Sequence, residues 1–120
     1  MNIEELREYC ISIKGSSESL PFIDNTILAF KVMDKMFAYI ALNPKDGIFK
    51  VNLKCNPEKS IELREQYHGI TATDFKTLLW NVVYLDSDVP NKLIEELISH
   101  SADEVIRKLP KKKQEEYRNS

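Results

Sequence analysis

In the strand predicted over 48–54, residues 49–54 alternate without a break, with Phe49, Val51 and Leu53 apolar and Lys50, Asn52 and Lys54 polar. A period of two sends successive side chains to opposite sides of a strand, so this strand has one face for a core and one for water. Parallel sheets, covered on both sides, do not tolerate such a pattern, and the alternation predicts an antiparallel sheet with helices on one side only. Two further strands are predicted upstream, over 26–32 and 36–42. Met33-Asp34-Lys35 between them is short enough for a tight hairpin, and 43–47 makes a five-residue turn with Gly47 last.

Helical signals surround these strands. Asn2 can cap a helix over 3–14, with Ile3, Leu6, Cys10 and Ile13 on one face and Gly15 as its stop. Residues 15–25 read as a loop, through Ser16, Ser17, Pro21 and Asp24-Asn25. Asn56 followed by Pro57 predicts a second helix, with Ile61 and the stem of Arg64 turned inward and His68-Gly69 at its end. Residues 70–79 fit a strand, a turn or a short helix from Thr73-Asp74 equally, and 80–85 reads as another strand, bounded by Asp86-Ser87-Asp88. A long helix starting near Pro90 carries Leu93, Ile94, Leu97, Ile98, Val105, Ile106 and Leu109 on its apolar face until Pro110 interrupts it. The tail, 111–120, is a charged helical end that frays.

The predicted fold is therefore α+β, a two-layer domain spanning 1–120. A length of 120 residues suits one domain, and 42% apolar with 30% charged residues excludes collagenous, low-complexity and largely disordered classes. No apolar run approaches 20 residues and the acidic start lacks a secretory pattern, so a cytoplasmic monomer without a membrane span is expected. Cys10 and Cys55, far apart and without a second pair, offer neither a disulfide framework nor a four-cysteine zinc site.

The net charge of −2 conceals blocks of opposite sign. Residues 1–24 sum to −3, 25–64 to +3, 65–107 to −5 and 108–120 to +3. The positive block on the strands and second helix contains Lys31, Lys35, Lys45, Lys50, Lys54, Lys59 and Arg64. Two readings fit it: solvated lysines that protect a sheet face and its edges, or a surface that tracks phosphates. Tyr39, Trp80 and Tyr84 join the same face according to register.

No enzyme chemistry can be assembled from the rest. His68 and His100 stand alone, without metal-ligand spacing, and read as ordinary helix-end and helix-surface residues. The acidic runs Glu4-Glu5-Glu8 and Glu95-Glu96 with Asp103-Glu104 read as wet helix faces. Cys10 lies on an apolar stripe, and Cys55, just before a helix N-terminus, is the better placed thiol but has no base beside it. No catalytic residue, metal site or cofactor is expected.

Several strings in order resemble the MmcQ/YjbR family of small bacterial proteins. They are Glu8-Tyr9-Cys10, Glu18-Ser19-Leu20-Pro21-Phe22, Phe30-Lys31-Val32, Lys35-Met36-Phe37-Ala38, Val51-Asn52-Leu53-Lys54-Cys55 with Pro57-Glu58, and Trp80-Asn81-Val82-Val83-Tyr84-Leu85-Asp86 with Val89-Pro90. The resemblance implies a double-wing fold, frataxin-like in outline, whose curved antiparallel sheet has helices on one face and leaves the other open. It also implies DNA as a partner, by analogy of architecture. Relatives carry a polar, basic stretch before the tryptophan, whereas Lys76-Thr77-Leu78-Leu79-Trp80 keeps one lysine. The DNA-binding candidates are Lys31, Lys35, Lys50, Asn52, Lys54, Lys76, Trp80 and Tyr84. The alternatives are a protein-docking adaptor using this face or Leu78-Leu79, and weak metal handling by Glu4, Glu5 and Glu8.

Overall fold

A computed structural model describes residues 1–20, 26–73 and 77–120. The order of elements is α1 (Ile3–Ser12), β1 (Ser16–Ser19), β2 (Ile27–Val32), β3 (Lys35–Ala41), β4 (Lys50–Lys54), α2 (Pro57–Gln66), β5 (Ile70–Ala72), β6 (Trp80–Tyr84), α3 (Asn91–Arg107) and α4 (Lys111–Arg118). The strands form one antiparallel sheet in the order β1-β2-β3-β4-β6-β5. Pro21, Phe22, Asp24-Asn25, the possible helix start at Asp74 and candidate Lys76 lie outside the described residues.

Helix α3 organises the covered side. Its residues Ile94, Leu97, Ile98, Ser101, Ala102 and Val105 recur at helical spacing and are buried. They meet Phe30, Ile40, Val51, Leu53 and Val83 from the sheet, with Leu6 and Cys10 of α1 in the same core. Asn2 caps α1 as expected, and Glu5 closes the capping box by accepting from the Asn2 backbone N–H at 3.1 Å. The β2–β3 hairpin turns through Met33 and Asp34, both at positive φ (49° and 64°), the geometry that matches strand twist in a two-residue turn.

Two expectations change. The stretch read as loop after Gly15 contains β1, whose residues pair from Ser16↔Val32 to Ser19↔Ala29. An edge strand made of Ser-Ser-Glu-Ser has no apolar alternation to betray it, and it pairs with β2 on one side. Ile61 faces solvent at 47% exposure, while Ser60 and Leu63 are buried.

Ser60 takes the inward position because it belongs to a polar network that joins α2 to the start of β6. Its hydroxyl donates to Leu78 O at 2.6 Å and accepts from Asn81 Nδ2 at 3.1 Å. Arg64 Nε donates to Asn81 Oδ1 at 2.7 Å, and its Nη2 to Thr77 O at 2.6 Å and Trp80 O at 3.1 Å. The inward turn predicted for Arg64 thus serves its guanidinium as well as its stem.

Helices α2 and α3 are joined at His100, whose Nε2 accepts from the Asn56 backbone N–H at 3.2 Å. Burial, the largest cause, pulls the His100 pKa below 6.5. Protonation would also turn this acceptor into a second donor facing an N–H.

Arg64→Met leaves three acceptors without their donor and is expected to cost about 2–3 kcal/mol, read as a lower urea midpoint with unchanged slope. Since the folded state keeps His100 neutral, its contribution is complete above pH 6.5 and declines as the pH falls through that value toward the lower folded pKa. Urea midpoints at pH 7.5 and 5.5 should differ in the wild type and less so in His100→Gln; an equal drop in both would contradict this account.

Candidate functional site

Register fixes which side chains share the uncovered face. Ser19, Ala29, Tyr39, Asn52, Val82 and Thr71 form one row across all six strands. Lys50 lies opposite Tyr84 and Lys54 opposite Trp80, so the lysines of β4 and the aromatics of β6 stand on the same side as this row. Tyr39, Trp80 and Tyr84 are all on this face. The Tyr39 and Trp80 rings meet over β4, with centroids 5.7 Å apart and planes tilted by 52°.

The face is not uniformly basic. Lys50 Nζ donates to Asp46 Oδ2 at 2.9 Å and sits 5.3 Å from the centre of the Tyr84 ring. The Asp46 hydrogen bond raises the Lys50 pKa and lowers that of Asp46, so both stay charged and cancel. Beyond Tyr84, Asp88 accepts from the His68 and Gly69 backbone N–H groups at 2.8 and 2.7 Å, which holds its pKa below 3.8. That loop comes so close to Gly69 that an added Cβ would lie 2.1 Å from Ser87 Oγ. This end of the face therefore carries fixed carboxylates.

The opposite end carries the uncompensated charge. Lys31, on the open side of β2, pairs with Met36 across a register shift that makes Phe37 the extra residue of β3. Lys35, Met36 and Lys54 line a cleft with Val105, Lys108 and Leu109 at the C-terminal end of α3. Burial, followed by repulsion from Lys108, lowers the Lys54 pKa. Among the described residues neither Lys31, Lys35, Lys54 nor Lys108 forms an ion pair.

The candidates thus divide. Lys31, Lys54 and Trp80 lie toward one end of the open face, Lys35, opposite the core residue Val32, is on the helix side of that same end, Asn52 lies in the central row, and Lys50 and Tyr84 belong to the far end with Asp46. Lys108 was missed, because in sequence it belongs to a helix whose apolar stripe draws attention away from its polar end. Arg64, counted with the basic strand block, is on the covered side and engaged with Asn81.

Neither thiol is set up for reaction: burial pushes Cys10 up to about 12 and raises Cys55 as well. Among the described residues no three His, Cys, Asp or Glu side chains converge. Glu5, one of the three acidic residues weighed for metal, is engaged in the α1 cap. No helix among the described residues is long and apolar enough to cross a membrane.

A model of the YjbR family matches residues 11–103. The chain is 30% identical over 114 residues to the uncharacterized protein YjbR of Escherichia coli K12, covering 94% of each. It is similar to a Deinococcus radiodurans crystal structure with a DUF419 domain, at a TM-score of 0.84 and 30% identity over 97% of this chain and 87% of the other. A Pseudomonas syringae crystal structure shares the fold, with a TM-score of 0.72 and 23% identity over 86% of this chain and 97% of that one.

Proposed function

The chain belongs to the YjbR family, and on that premise we propose that it is a non-enzymatic, cytoplasmic DNA-binding module that works with one end of its open sheet face. The observation that carries this reading is that Lys31 and Lys54, which form no ion pair among the described residues, share the open face with the Tyr39–Trp80 aromatic pair, with Lys35 at the adjoining end of the sheet. Ammonium groups hold phosphates without regard to sequence, and an adjoining aromatic surface supplies contacts for a sugar or an unstacked base. Asn52, next along the row, offers both a donor and an acceptor to a base edge. The neutralised Lys50 contributes little, so the footprint is small and confined to one end.

A second reading has its own support. Leu78 and Leu79 are each 38% exposed beside Ile61 at 47%, and the Ser60–Leu78 hydrogen bond brings the two segments together. Such a patch suits a protein partner, in which case the protein is an adaptor.

Duplex DNA binding measured across a salt series distinguishes them. Three phosphate contacts predict a log–log slope of about −3, from roughly 0.9 per neutralised phosphate. Lys31→Glu with Lys54→Glu should lower affinity at least tenfold, whereas Lys50→Glu should change it little. Undetectable or salt-independent binding at low ionic strength removes the DNA reading. A stoichiometric protein partner lost on Leu79→Asp, with the fold intact, would establish the adaptor instead.

A further inference from the structure

The cleft between the sheet end and α3 has a volume of about 290 Å³ and is lined by Lys35, Met36, Lys54, Val105, Lys108 and Leu109. Its lining combines three lysines with three apolar residues. Glu104 is the nearby carboxylate that attracts Lys54, and it is gripped on both oxygens by Arg107, Nε to Oε2 at 2.9 Å and Nη2 to Oε1 at 3.1 Å. Arg107 and Lys108 add repulsion at Lys54. Three lysines consequently line one concavity, and the carboxylate that attracts Lys54 is already held by Arg107.

We infer that this cleft is a binding site for a phosphate monoester, its phosphate held by Lys35, Lys54 and Lys108 and its organic part lying against Met36, Val105 and Leu109. A phosphate monoester brings a charge of about −1.5 to −2 and three acceptor oxygens, which matches three convergent lysines. A single carboxylate brings one charge and leaves the site strongly positive. The volume is near the lower limit, roughly 300 Å³, of small-molecule sites, which suits a ligand of mononucleotide size. The site goes beyond the DNA reading: it shares Lys35 and Lys54 with that surface, but Lys108, Val105 and Leu109 belong to the α3 side and have no part in it.

Amide NMR titrations of the full chain at constant ionic strength test the assignment, with inorganic phosphate, adenosine 5′-monophosphate and adenosine as probes. The monophosphate should shift Lys35, Lys54 and Lys108 saturably and more tightly than inorganic phosphate, and adenosine should not. Lys108→Met should weaken the monophosphate at least tenfold with its spectrum otherwise preserved, and Lys35→Met should do likewise. Lys111→Met, in α4 and outside the cleft, should leave it unchanged. Absence of saturable shifts, equal binding of adenosine, or indifference to both Lys108→Met and Lys35→Met overturns the site. Comparing a 5′-phosphorylated oligonucleotide with its unphosphorylated form separates a nucleic-acid end from a free nucleotide as the source of the phosphate. Loss of duplex binding on Lys31→Glu with monophosphate binding intact supports the cleft as independent; duplex binding undetectable in the wild type, with monophosphate still bound, sinks the open-face reading alone.

Discussion

Ser101 stands where the regular β ladder fails. Phe37 is the residue that β3 carries in excess of β2, and its carbonyl accepts the Ser101 hydroxyl. Ser101 Oγ in turn accepts from the Lys54 backbone N–H at 2.8 Å, at the last residue of β4. One buried hydroxyl from the middle of α3 therefore satisfies two main-chain groups that strand pairing leaves over. In doing so it fixes the height of α3 against the sheet, and with it the distance from Lys108 to Lys35 and Lys54. The charged end of the face is positioned from the core outward.

That dependence explains which parts of the molecule could be read in the sequence. The alternation of Phe49, Val51 and Leu53 with Lys50, Asn52 and Lys54 reports burial directly: Val51 and Leu53 are buried in β4, and Phe49, just before the strand, is half-buried against the core. Asn56-Pro57 and the stripe from Ile94 to Val105 are equally local signals. The Ser60–Arg64–Asn81 network is not local: three polar residues spread over 22 positions have no common pattern until α2 is laid against β6. Ile61 was assigned inward on hydrophobicity, but a serine and an arginine with partners waiting for them set the phase of that helix. Strand β1 escaped because pairing, not side-chain burial, creates it.

The charge pattern was legible as a sum over segments and misleading as a surface. Residues 25–64 do hold an excess of three positive charges. Asp46 lies four residues before Lys50 and cancels it, a pairing that the turn between them makes possible and that spacing alone hinted at. Arg64 leaves the surface altogether. Of what is left over, Lys31, Lys35 and Lys54 lie toward one end of the sheet, where Lys108 from a different charge block joins them.

The two borders of the sheet set a last condition on how anything can approach. Strand β1 is four residues long with three serines and a glutamate, and β5 is three residues long. Both are short, and among the described residues neither offers the long apolar template along which a foreign strand could add itself. Among the described residues, the edges thus favour recognition of the proposed partner by side chains over main-chain pairing. For the proposed binding face, specificity would thus rest on which few groups stand on the face and at its end, and would change by single substitutions without any change in the sheet that carries them.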